Sequence, residues 1–265
     1  MTDSPVAPDV RAHIEARLAE VEAGEGVRIL LAVESGSRAW GFPSPDSDYD
    51  VRFVYRHEAD WYLSLREERD VIERGIDERD IDLAGWDLRK ALRLGLKWNP
   101  VLHEWLVSPV TYAADDEFRE EALSLYRDFV DLRAIAHHYG SQVRGQRRRN
   151  LGGDEIKLKT YFYVIRPLLS LQWVLRHRTL PPMHMEALLA GSDLPGDVAD
   201  AIDRLIAMKR GTPELGSGAK IPVIDGWIDK VERDLDPAAA PRASNGAGAR
   251  AAADQLFRRT LHTKI

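Results

Sequence analysis

Two short apolar runs, separated by a stretch of chain breakers, constrain this chain more than any other feature. Val27-Arg-Ile-Leu-Leu-Ala-Val33 follows Gly26. It is too short and too β-branched for a helix, so it predicts a buried strand. Ser35 to Asp50 carries Gly36, Gly41, Pro43 and Pro45, which impose turns, and Val51-Arg-Phe-Val-Tyr55 predicts a second strand. Asp70–Ile76 and Ile81–Ala84 predict a third and a fourth strand around a turn at Gly75–Asp80. Asp87 is placed to cap a helix running to about Lys97. Ahead of the sheet, Ile14, Leu18 and Val21 space a helix over about Val10 to Ala23.

Beyond Asn99-Pro100 the pattern predicts helices alone: Val101–Leu106, Glu117–Phe129, Leu132–Arg149, Glu155–Arg176, Met183–Leu189, Gly196–Lys209 and Ile224–Leu235. Pro237–Arg250, dominated by Ala with Pro, Asn and Gly, reads as a flexible linker. Ala251–Leu261 reads as a short helix that docks back on the body or on a second subunit. The expected fold class is α+β, a small mixed sheet with flanking helices followed by an all-helical domain. The expected boundaries are 1–100, 101–236, and 237–265 for the linker and last helix.

Composition closes off several classes of function. There is no cysteine among the 265 residues, which removes disulfides, thiolate metal sites and cysteine nucleophiles together. No run of ~18 apolar residues offers a membrane span. Met1 to Val10 carries Asp3 and Asp9 without the basic and apolar regions of a secretory signal, so the expected compartment is the cytoplasm. A net charge of −6 argues against a protein that coats nucleic acid over its whole surface. Yet Arg133 to Arg178 holds ten Lys and Arg against Asp154 and Glu155, a local balance of +8. Such a segment suits a phosphate site or a solvated helix face.

The chemistry-bearing segment is Glu34-Ser-Gly-Ser-Arg-Ala-Trp-Gly41 with Ser44-Pro-Asp-Ser-Asp-Tyr-Asp50. Glycine at a strand end lets backbone N–H groups approach an anion, and Ser37 adds a hydroxyl. Period-two alternation aims Asp48 and Asp50 at one face of the second strand. Asp82 sits on a strand between apolar neighbours, where an acid is costly unless paired or bound to metal. Three converging carboxylates suit two divalent ions held with substrate phosphates. In the structural alternative Asp46 and Asp48 are turn formers and Asp82 pairs with Arg52.

Gly36-Ser37, the Asp48-x-Asp50 pair and Asp82 resemble the signature of the polymerase-β-type nucleotidyltransferase superfamily. Four segments bring the resemblance closer: Ser35-Gly-Ser-Arg-Ala-Trp-Gly-Phe42, Ser44-Pro-Asp-Ser-Asp-Tyr-Asp-Val-Arg-Phe53, Asp80-Ile-Asp-Leu83 with Gly85-Trp-Asp-Leu-Arg-Lys90, and the Lys159 to Leu169 helix. Together they are similar to a family of predicted nucleotidyltransferases associated with RNA repair, over roughly Val27 to Arg178. The resemblance implies a nucleoside triphosphate substrate, two Mg²⁺ ions (or Mn²⁺), and transfer of a nucleoside monophosphate to a hydroxyl with release of pyrophosphate. It also implies that Asp48 and Asp50 bridge both metals and that Asp82 helps hold the one activating the acceptor. Gly36, Ser37 and Arg38 would bind the nucleotide. RNA is the expected acceptor; a protein, a small molecule, or a non-catalytic binding role are the alternatives. Oligomeric state is not legible.

The helical half carries further candidates. Lys159, Tyr163 and Arg166 stand at i, i+4 and i+7, off the apolar stripe, where two cations framing a phenol could grip a triphosphate or form an exposed basic face. Pro167 within the same helix predicts a kink. Arg144, Arg147, Arg148 and Arg149 could meet an RNA backbone, or simply complement a helix C-terminus.

Overall fold

A computed structural model of the protein describes residues 6–66, 68–153, 155–212, 215–243 and 245–262. Asp3 and Asp154, used above in reading the leader and the basic segment, lie outside the described residues. The chain divides into two compact units: Met1–Ala39, Asp48–Val130 and Ser244–Ile265 form one, and Trp40–Ser47 with Asp131–Ala243 the other.

The first unit opens with α1 (Pro8–Glu25), started by a proline at the position whose N–H has no helical partner and ended by Gly26 at φ 62°. Five strands follow in its sheet: β1 (Arg28–Glu34), β2 (Tyr49–Arg56), β3 (Val71–Arg74), β4 (Ile81–Asp87) and β5 (Thr111–Ala114). Their spatial order is β3-β4-β2-β1-β5, with β2 and β4 parallel and every other pair antiparallel. Helices α2 (Gly36–Ala39), α3 (Ala59–Tyr62), α4 (Leu88–Gly95), α5 (Pro100–Leu106) and α6 (Asp116–Phe129) connect them. Ile14, Leu18 and Val21 of α1 pack in one core with Val51, Phe53, Tyr55, Ile81 and Leu83 of the sheet. The α4, α5 and α6 helices also contact it, so β1 and β2 are buried nearly throughout. This double burial explains why β1 reads as an unbroken apolar run. Asp87, Asn99 and Asp115 cap α4, α5 and α6 through side-chain oxygens that accept from Arg89, Val101 and Phe118 N–H.

The sheet is the mixed one expected, within an α+β architecture, but the first unit runs to Val130 instead of stopping at residue 100. The reason is β5, which pairs with β1 from inside the stretch that reads as helices alone. It is four residues long, two of them alanine, and so carries too little periodicity to be recognised.

The second unit contains α7 (Leu132–Asn150), β6 (Glu155–Lys157), α8 (Thr160–His177), α9 (Met185–Ala190), α10 (Gly196–Gly211), β7 (Ser217–Ala219) and α11 (Pro222–Asp234). Its core gathers Phe162, Ile165, Leu168 and Leu169 of α8 with Leu188, Ile202, Leu205 and Ile228. Glu155 to Lys157, expected in the helix, instead forms a strand antiparallel to β7, and α8 starts at Thr160. Pro167 lies inside α8 without ending it. The carbonyl it leaves without a helical donor belongs to Tyr163, the one exposed residue in that stretch. The Trp40–Ser47 loop belongs to this unit. Phe42 packs on Phe162 at 4.7 Å, Lys209 Nζ donates to Ser44 Oγ at 3.1 Å, and Arg210 donates to Gly41 O at 2.7 Å.

The expected linker is partly structured. Pro237–Ala239 forms a 3-10 turn, and Arg133 donates from its backbone N to Pro241 O and from Nε to Ala240 O. The last helix, α12 (Gly246–His262), begins five residues before the expected 251 and returns to the first unit. There Arg259 pairs with Glu121, and Phe257 meets Tyr62 edge-on at 5.1 Å. Among the described residues no helix is long and apolar enough to cross a membrane.

Two glycines test the packing. A Cβ added to Gly85 in β4 would lie 2.1 Å from Phe53 Cε2 inside the core, whereas one on Gly24 in α1 meets nothing within 4 Å. Gly85→Ala is expected to cost ~1–3 kcal/mol, while Gly24→Ala should be stabilising by ~0.4–1 kcal/mol. Urea unfolding of both variants checks the difference, and equal midpoints would refute it.

Candidate active site

The sheet brings Asp50 and Asp82 face to face. They are register partners in the parallel pair of β2 and β4, so their side chains share one face. Arg52, two residues on from Asp50, joins them there. Its Nη2 donates to Asp50 Oδ1 at 2.9 Å and to Asp82 Oδ2 at 2.7 Å, and its Nη1 donates to Val51 O and Asp82 O. Both carboxylates remain about a third exposed, at 34% and 33%. Asp48 is exposed and precedes β2, which starts at Tyr49, so the strand alternation that grouped it with Asp50 does not reach it.

The glycine motif folds against the same acid. Gly36 opens α2 at φ 59°, and a Cβ there would stand 2.0 Å from Asp50 Oδ2. Glycine is therefore required twice, by the left-handed backbone and by the carboxylate that occupies the Cβ position. Ser35 N donates to Asp50 O at 2.8 Å, and Asp50 N donates to Glu34 Oε1 at 3.0 Å. Glu34 is fully buried and also accepts from the Tyr112 hydroxyl. Arg38 in α2 lies 3.9 Å over the Tyr49 ring, and Ser37 in the same helix is half-buried. Burial pushes the Glu34 carboxyl up from 4.5 to about 7, against the lowering effect of the Tyr112 and Asp50 hydrogen bonds. Asp50 is raised as well, first by burial and then by Asp82 and Asp48, with Arg52 and Arg38 opposing.

Residues 10–259 match the family described as RlaP, the RNA repair pathway DNA polymerase beta family. The chain belongs to that family. It is 42% identical over 222 residues to YcgL of Bacillus subtilis (strain 168), covering 83% of this chain and 85% of that one. A nucleotidyltransferase-like protein from Exiguobacterium sibiricum aligns at 9% identity and a TM-score of 0.33, covering 95% of this chain and 80% of that one. The resemblance carried by the Gly36-Ser37 and Asp48-x-Asp50 segments is thus family membership, and the function is nucleotidyltransferase-like.

Within this RlaP-family chain the donor set around Asp50 suits a hard divalent ion. Two carboxylates already converge on one cationic nitrogen, and Mg²⁺ is commonly held by one or two carboxylates with substrate phosphates completing the shell. Among the described residues no three His, Cys, Asp or Glu side chains close into a cage, so further ligands would have to come from Asp48 after movement, or from substrate.

The helical candidates separate. Lys159 is the residue before α8 and half-buried, and Tyr163 is 41% exposed. Arg166 is buried at 5%, stacks 4.5 Å over Trp40 and donates to Met183 O at 3.2 Å. The structure therefore does not present the three on one open face. Arg147 pairs with Asp229 and Glu232 of α11, while Arg144, Arg148 and Arg149 are exposed. Glu34 and Tyr112 were missed as site residues. A carboxylate closing a strand that is apolar from Ile29 to Val33 was the available signal for Glu34; nothing local marked Tyr112.

A raised folded pKa for Glu34 stabilises the protonated form, so its contribution is full below pH 4.5 and fades as pH rises to about 7. Glu34→Gln should remove that slope, leaving the variant less penalised than wild type at pH 8 by roughly 2–4 kcal/mol. Denaturant unfolding from pH 4 to 8 measures it; parallel curves for the two proteins would refute the assignment.

Proposed function

We propose that this protein transfers a nucleoside monophosphate from a nucleoside triphosphate to a hydroxyl on an RNA end, releasing pyrophosphate. The convergence of Asp50 and Asp82 on a single cationic point carries the reading. In it Asp48, Asp50 and Asp82 hold divalent ions, with Mg²⁺ or Mn²⁺ the fitting choices. A bound divalent ion would neutralise phosphate charge and favour ionisation of the attacking hydroxyl. Gly36, Ser37 and Arg38 offer the triphosphate a backbone turn, a hydroxyl and a guanidinium beside that point. As the acceptor oxygen bonds to the α-phosphorus, the bond to the bridging oxygen breaks and pyrophosphate leaves. Glu34 holds the Asp50 backbone in place throughout.

The RNA acceptor is supported by the family's RNA-repair description and by the exposed Arg144, Arg148 and Arg149. Lys159 and Tyr163 are assigned to nucleotide binding. Arg166, engaged by Trp40 and Met183, is assigned to holding its own unit together. The lack of cysteine fits a reducing cytoplasm.

Incubation with each labelled triphosphate, Mg²⁺ and total RNA is expected to label RNA. Asp48→Asn, Asp50→Asn and Asp82→Asn should each lower transfer by at least about a hundredfold, because metal stabilisation of the transition state is worth several kcal/mol. An Asp82→Asn protein with wild-type turnover would remove Asp82 from the site. Label on a protein or small molecule instead of RNA would reassign the acceptor and leave the transfer chemistry standing.

RNA affinity should also fall with salt. Replacing Arg144, Arg148 and Arg149 together by Ala should reduce the log–log slope by about 2, at ~0.7 per phosphate on a single strand. An unchanged slope would place the RNA elsewhere.

A further inference from the structure

Arg52 already engages both of the acids that would hold a metal. One nitrogen, Nη2, lies within 2.9 Å of an Asp50 oxygen and 2.7 Å of an Asp82 oxygen. The other, Nη1, is tied to two backbone carbonyls, Val51 O at 3.1 Å and Asp82 O at 3.0 Å. The guanidinium is therefore docked on strand backbone as well as on the carboxylates, and its side chain is 20% exposed. The two oxygens of Asp50 are not equivalent. Oδ2 is turned to Gly36, 2.0 Å from where a Cβ would be. Oδ1 points instead to Arg52. A divalent ion held by Asp50 and Asp82 would compete with the arginine for the same two carboxylates.

We propose that Arg52 is a built-in competitor for the divalent cation, neutralising the Asp50–Asp82 pair and yielding these oxygens when an ion enters. This inference rests on the metal-binding role assigned to the acids above. Two facing carboxylates repel each other, and a fixed guanidinium offsets that repulsion within the fold. The same charge repels an arriving cation, so a free ion alone loads poorly. An ion that arrives with a triphosphate brings phosphate oxygens of its own as ligands, and these also offer the displaced guanidinium a new anionic partner. On this reading Arg52 makes loading depend on substrate. Arg52 acts here through the acids and is a positioning residue.

Mn²⁺ titration of the full chain, reading the unbound ion by electron paramagnetic resonance, tests the competition without any turnover. Arg52→Met should bind Mn²⁺ at least about tenfold more tightly than wild type, because one unit of repelling charge a few ångströms away is gone. The same variant should melt at lower temperature without ion and recover disproportionately when Mn²⁺ is added. Arg52→Lys, which retains the charge but reaches fewer acceptors, should fall between the two. Adding Asp50→Asn to Arg52→Met should abolish the gain and so place the ion at the pair. Equal or weaker Mn²⁺ binding by a folded Arg52→Met overturns the competition and leaves the metal reading intact. Should Arg52→Met fail to fold, wild-type affinity in Arg52→Lys overturns it in the same way. Absence of binding in wild type and variants alike, in the titration repeated with a non-hydrolysable nucleoside triphosphate, removes the metal reading, and the competition with it.

Discussion

Two carboxylates held opposite each other across parallel strands repel, and much of the first unit is arranged around that repulsion. Asp50 and Asp82 are fixed by the β2–β4 register, so neither can move away without breaking the ladder. Arg52 supplies the opposing charge from the next position on the same face. Gly36 yields the space that Asp50 Oδ2 needs, and Glu34 receives the Asp50 N–H from inside the core. Each of these residues is understandable only through Asp50. A buried glutamate near the end of β1 would be an expensive accident without the two hydrogen bonds that it accepts.

That arrangement explains what was legible beforehand. Strands β1, β2 and β4 and the cap at Asp87 announce themselves locally, through apolar runs and a helix-start residue, and each was recognised within a few residues. An acid on an apolar strand is a local signal and marked Asp82, whereas period-two spacing grouped Asp50 with Asp48, which lies outside β2, and could not show that its register partner is Asp82. Strands β5, β6 and β7 were not, since four- and three-residue strands gain their identity from a partner distant in sequence. The boundary at Val130 follows from β5 and was hidden for the same reason. Helical spacing grouped Lys159, Tyr163 and Arg166, but it cannot tell which side of a helix a neighbouring aromatic will cover. Trp40 covers Arg166, from a loop more than a hundred residues away in sequence.

The same loop shows how the two units share one motif. Gly36 and Asp48 stand on either side of Trp40–Ser47, which is packed and hydrogen-bonded within the helical unit through Phe42, Ser44 and Gly41. The chain thus leaves the sheet unit after Ala39 and returns at Asp48. Breakers at Gly41, Pro43 and Pro45 are what this excursion requires, as regular structure could not reverse in so few residues. Their density marked the segment as a turn; its anchoring partners, Lys209 and Arg210, lie too far along the chain to have been inferred.

Charge composition has to be read the same way. The local balance of +8 between Arg133 and Arg178 suits a local phosphate site or a solvated helix face, yet many of its cations are engaged by partners within the chain. Arg133 donates to the carbonyl of Ala240, Arg147 pairs with two acids of α11, and Arg166 lies against Trp40. Arg176 lies 3.7 Å from Asp193, and Arg178 donates to Ala239 O. A cation engaged in this way would have to give up a partner before meeting a phosphate, which offsets part of the electrostatic gain. Among the described residues no ion pair engages Arg144, Arg148 or Arg149, and they cluster within two turns at the end of α7.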